Sequence, residues 1–85
     1  MITPEIIRQI DKVCACLFEL LPVQLSYILS EINIYDQKIE QMRDYIEVKG
    51  RFDGKHVWHI ASYIVNTSQS KKFYKLYDSL NLKSV

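Results

Sequence analysis

The stretch that decides the fold is Leu21 to Ile46, LPVQLSYILSEINIYDQKIEQMRDYI. Within it Leu21, Leu25, Ile28, Ile32, Tyr35, Ile39, Met42 and Ile46 follow at alternating spacings of four and three, with no polar residue interrupting. That spacing places one apolar seam along a helix, which then needs a partner helix to cover it. Pro22 suits a first helical position, and the seam predicts one long central helix over most of the stretch. Arg43 and Glu47, four apart, add modest support on its outer face. The first two turns are the ambiguous part, because Val23, Leu25, Tyr27 and Leu29 also alternate as a strand would.

Upstream, Thr3 is a good N-cap, Pro4 fits the first helical position and Glu5 complements the positive end of the helix dipole. Ile6, Ile10, Val13, Leu17 and Leu20 then form one apolar face, widened by Ile7, Cys14 and Phe18. This first helix should end near Leu20, since Pro22 disfavours helical geometry at Leu21.

Downstream, both glycines fall in Lys49-Gly50-Arg51-Phe52-Asp53-Gly54. Gly50 can cap the C-terminus of the long helix. Val57, Ile60, Ala61 and Ile64 resume helical spacing, and the polar Asn66-Thr67-Ser68 offers caps for a last helix. Phe73, Leu76, Tyr77 and Leu80 make a second short stripe there. The chain reads as one all-α domain over 1–85, a helical hairpin or a three-to-four-helix bundle.

A competing pattern exists. Asp53-Gly54 is a strong short hairpin signal, and Ile46–Val48 with His56–Ile60 could be its strands. Leu25–Asn33 and Tyr35–Tyr45 would then be two helices followed by a β-wing, which resembles a winged helix-turn-helix. No Gly or Pro marks a turn at Asn33–Tyr35, so the unbroken helix is preferred.

Composition limits the classes of function. Apolar residues make up 48% and charged residues 25%, which suits a folded domain and not a disordered one. A chain this short buries only somewhat over ~60% of its unfolded surface, so self-association would strengthen a thin core. Cys14 and Cys16 lie too close in sequence for an ordinary bridge between elements, and two thiols suit a reducing, cytoplasmic setting. No secretory signal pattern opens the chain. The most apolar window, Val13–Leu29, is interrupted by Glu19, Pro22, Gln24 and Ser26, and reads as core and not as a membrane span.

Charge is uneven. Residues 1–48 carry eight acids against four bases, and residues 49–85 seven bases against two acids, so the halves stand at −4 and +5. Such asymmetry points either to an anionic partner for the basic half or to attraction between the halves.

Chemistry-bearing constellations are few. Asp53, His56 and His59 are spaced i, i+3, i+6, but Asp53 falls in the turn and a fourth ligand is lacking nearby, so no metal and no cofactor is expected. GRFDGKH at 50–56 is one residue short of a phosphate-loop spacing and lacks Ser or Thr after the lysine, which excludes an NTPase. Lys49, Arg51 and Lys55 flank a turn that opens a helix, a geometry able to hold an anion. Lys71, Lys72 and Lys75 are further nucleic-acid contact candidates. No nucleophile–base pair and no paired carboxylates off a solvated face are present, so an enzyme is not expected.

Trp58 and Tyr63 miss the Val57–Ala61–Ile64 line, and Tyr74 misses the last stripe. Large aromatics off their own core face mark partner surface, so these three are the candidate partner-binding residues. The sequence therefore predicts a small non-enzymatic regulatory or adaptor protein. It would bind a protein partner stoichiometrically and self-associate. Nucleic-acid binding through the basic half is the alternative. Scarce Ala and Gly with abundant Ile, Lys and Tyr suit an AT-rich genome, including a phage's.

Overall fold

The computed structural model describes residues 3–80, and the described residues form five α-helices and no strand. They are α1 Pro4–Phe18, α2 Pro22–Glu31, α3 Gln37–Lys49, α4 Gly54–Asn66 and α5 Ser70–Ser79. The fold is all-α. α1 and α4 pack together most extensively, α2 packs on α3, and α5 closes against α2 and α4.

Each start and stop has a local cause. The Thr3 hydroxyl accepts the Ile6 N–H at 3.2 Å, with Pro4 in the first turn. α1 ends at Phe18, slightly before the expected Leu20, and Leu20 is nonetheless buried. Leu21 is extended (φ −74°, ψ 155°), as a residue before proline prefers, and donates its N–H to Gln24 Oε1 at 2.8 Å. Gly50 ends α3 in the left-handed region (φ 66°), and its N–H donates to the Ile46 carbonyl at 2.8 Å.

The long central helix is divided. Ile32–Asp36 is non-helical, so the heptad stretch folds back on itself as α2 and α3. Asp36 caps α3 by accepting the Lys38 N–H at 2.8 Å and the Ile39 N–H at 3.3 Å. The backbone groups that a continuous helix would satisfy internally find partners elsewhere. Tyr63 Oη donates to the Asn33 carbonyl at 2.8 Å and accepts the Tyr35 N–H at 2.7 Å. Gln69 holds Asn33 from both sides, accepting its N–H at 3.1 Å and donating to its carbonyl at 2.9 Å. Giving the Asn33 N–H and carbonyl and the Tyr35 N–H side-chain partners is what allows the helix to stop there.

The seam is therefore right about burial and wrong about continuity. Leu25, Ile28, Ile32, Ile39, Met42 and Ile46 are all buried, but Leu21 is 61% exposed at the start of α2 and Tyr35 is 88% exposed in the corner.

The hairpin alternative at 46–60 is also corrected. Asp53 is not a turn residue between strands but the N-cap of α4, accepting the His56 N–H at 3.0 Å. Among the described residues only Gly50, of the two glycines, has positive φ, so Gly54 lacks the geometry of a type I′ hairpin. A winged helix would require that hairpin.

α4 buries Val57, Ile60, Ala61 and Ile64 as its spacing requires. Ser68, at φ 59°, makes the turn into α5, whose N-cap position is Gln69. α5 buries Phe73 and Tyr77, while Leu76 and Leu80 are partly buried against the core. The Tyr77 hydroxyl donates to Glu19 Oε2, tying α5 to the end of α1.

Candidate functional site

The first turn of α2 and the last turn of α3 diverge around a groove of about 520 Å³. Leu21, Pro22, Val23 and Ser26 line it from α2, and Ile46, Glu47 and Gly50 from the end of α3. Two features shape its wall. Gly50 faces open space, since a Cβ built there would meet nothing within 4 Å. Ser26, buried among apolar neighbours, donates its hydroxyl to Glu47 Oε1 at 2.6 Å, which satisfies Ser26 and fixes the one carboxylate in the groove wall.

Apolar side chains continue outward from this groove. Val23 is 73% exposed on its rim, beside Leu21. Phe18, 60% exposed, stands at the end of α1 with its ring edge 3.9 Å from where a Gly54 Cβ would lie. Trp58, 44% exposed, lies one turn along α4 on the face that Gly54 presents to Phe18. Phe18, Leu21 and Val23, close in sequence around the α1–α2 junction, and Trp58, one turn along α4 from the Gly54 that Phe18 meets, make up an exposed apolar strip, of which Leu21 and Val23 also line the groove.

Of the aromatics singled out in the sequence, Trp58 joins this strip. Tyr63 is about 140° away around α4 by helical geometry, and its hydroxyl is engaged in the α2–α3 corner. Tyr74 is half-buried and set edge-on to Phe73 at 5.3 Å, and burial raises its hydroxyl pKa. The three do not gather on one face. Phe18, Leu21 and Val23 were the residues that sequence reasoning assigned to core or left ambiguous.

Lys49, Arg51 and Lys55 are all exposed. Arg51 lines a smaller cavity of about 310 Å³ with Tyr45, Phe52, Asp53 and His56, the Tyr45 and His56 rings being 5.2 Å apart. Here the Asp53 carboxylate already takes the N–H that an anion at the α4 start would use. The His56 N–H in turn holds the Asp53 carboxyl below its ordinary pKa. Lys71, Lys72 and Lys75 are exposed together on the first turns of α5.

α3 has the wrong charge for entering a nucleic-acid groove. From Asp36 to Lys49 it carries Asp36, Glu40, Asp44 and Glu47 against Lys38, Arg43 and Lys49.

Among the described residues no three His, Cys, Asp or Glu side chains gather to hold a metal ion. Asp53 and His56 are instead occupied with each other: the Asp53 N–H donates to His56 Nδ1 at 3.4 Å. The Cys14 thiol is pushed up in pKa by burial and by Asp11, which lowers its reactivity. No helix of the described residues is long and apolar enough to cross a membrane.

Compared with known proteins, the chain matches no family model, no curated protein and no solved structure.

Proposed function

We propose that this chain is a small non-enzymatic regulatory or adaptor protein that acts by stoichiometric binding to a protein partner. The observation that carries this is the apolar strip of Phe18, Leu21, Val23 and Trp58 leading into the α2–α3 groove. By residue size and exposure those four side chains expose on the order of 400 Å². That approaches the apolar part of one side of a standard interface, about 800 Å² per partner and a little over half non-polar. An apolar surface of this extent matches the largest patch on a typical monomer, about 300–600 Å², which is often a functional one. A groove whose lining polar side chains, Ser26 and Glu47, are hydrogen-bonded to each other and whose other lining residues are apolar or glycine suits an inserted apolar side chain.

The test is a peptide-display selection against the whole wild-type chain, followed by affinity measurement of the selected peptides on wild type and on Val23→Glu. Selected peptides should carry a large apolar residue and lose at least ten-fold in affinity for Val23→Glu. Peptides that bind both forms equally would sink the proposal.

A second reading rests on Lys71, Lys72 and Lys75, three cations exposed together on α5. Under that reading the chain binds nucleic acid, and affinity falls steeply with salt and with neutralisation of the three lysines. Binding that is absent at low salt would remove it. The AT-rich, phage-like composition concerns source and not mechanism, and it is compatible with either reading.

A further inference from the structure

We infer that the occupant of the strip and groove is a second copy of this chain, related to the first by a two-fold axis. This rests on the reading of the strip as a protein-binding surface and names its partner.

Three observations carry it. The first is shape. An isologous contact uses the same patch on both copies, so the patch must contain both what projects and what receives. This one does: Phe18 and Val23 project, and the groove beside them, about 520 Å³, is large enough to receive an apolar side chain.

Charge is the second. The residues adjoining the strip carry both signs, with Glu47 in the groove wall and Lys49 and Lys55 next to the glycines at its edges. Turning one copy onto another therefore sets no single-sign surface against itself, and like-charge repulsion does not oppose the pair. The contrast with α5 is clear, since a two-fold contact there would oppose Lys71, Lys72 and Lys75 to their own kind.

The third is area. Two such strips facing each other supply the apolar part of a standard interface of about 1,600 Å² in total, the size that a specific dimer needs. An 85-residue chain has little core to spare, so covering four large apolar side chains is worth more to it than to a larger domain.

The test is sedimentation of the full chain over a concentration series from about 1 to 500 μM, with wild type and Val23→Glu compared. Val23 is the most exposed residue of the strip, so the variant retains the fold, which circular dichroism checks. Expected is a wild-type shift from monomer to dimer that stops at two. Val23→Glu should raise the dissociation constant at least ten-fold, and Lys71→Gln should leave it unchanged. A wild type that stays monomeric throughout overturns the inference. So does growth beyond dimers, which would mean head-to-tail association of the acidic and basic halves. A dimer that survives Val23→Glu overturns it as well. A monomeric wild type that still yields Val23-dependent peptides in the display selection would remove the second copy and keep the protein-binding surface, so the two failures are distinguishable.

Discussion

Ser26 and Glu47, 21 positions apart, are joined by a 2.6 Å hydrogen bond in which the Ser26 hydroxyl donates to Glu47 Oε1. The bond links α2 to α3 at the groove and gives a buried hydroxyl its partner. Ser26→Ala removes the donor and leaves Glu47 facing solvent, where water replaces it. The expected cost is about 1 kcal/mol, or about 4–8 °C in Tm for a domain of this size, measured by thermal unfolding. An unchanged Tm would mean that the bond does not anchor the two helices.

Tyr63 governs the corner between α2 and α3. Tyr63→Phe keeps the ring but removes the hydroxyl that serves both the Asn33 carbonyl and the Tyr35 N–H. The loss is expected at about 1–3 kcal/mol, with faster hydrogen exchange at the Tyr35 amide than elsewhere in the chain. Exchange that accelerates uniformly would show that the corner is held by other contacts.

Ser68 stands at φ 59°, a left-handed conformation that side chains with a Cβ resist. Ser68→Gly removes that resistance but also loosens the unfolded chain, so a net gain of about 0.5 kcal/mol is expected from denaturant unfolding. Gly50, at φ 66°, makes the reverse case: Gly50→Ala should destabilise by about 1 kcal/mol although its Cβ would meet nothing.

Tyr77 supplies the pH dependence. Its hydrogen bond to Glu19, and then its burial, raise its pKa above the ordinary tyrosine value of about 10. The folded state thus holds this proton more tightly than the unfolded state does. That contribution is complete below about pH 10 and is lost as pH rises toward the folded value. Stability measured between pH 9 and 12 should fall, and Tyr77→Phe should flatten the fall. An identical alkaline slope in the variant would assign the effect to other groups.

Much of this fold is legible in the sequence, for local reasons. Thr3, Pro4, Pro22 and Gly50 act on their immediate neighbours, and the helices begin and end where they say. The heptad positions from Leu25 to Ile46 are buried, except at Tyr35. The break at Ile32–Asp36 is present only in the competing pattern, as the gap between Leu25–Asn33 and Tyr35–Tyr45, because the groups that hold it lie 30 and 36 residues from Asn33, in Tyr63 and Gln69. Periodicity records which residues are buried, and two helices folded back on each other bury the same set as one helix with a partner. Asp36 was the available local signal, an N-cap residue inside an apparently continuous seam.

The candidate site was partly legible. Trp58 stood out because it misses its own core line, and it lies on the strip. Leu21 and Phe18 were hidden by apolar patterns that they fit without being buried, since periodicity cannot tell a core position from an uncovered one at a helix end. Tyr63 drew notice for the right oddity, but its hydroxyl serves the corner.

The most direct measurement of the central claim is an amide chemical-shift map of the whole chain titrated with a display-selected peptide. Shifts are expected at Phe18, Leu21, Val23–Ser26, Ile46–Gly50 and Trp58, with Lys71–Lys75 unmoved. Shifts centred on Lys71–Lys75, or none along the groove at saturation, would contradict the claim.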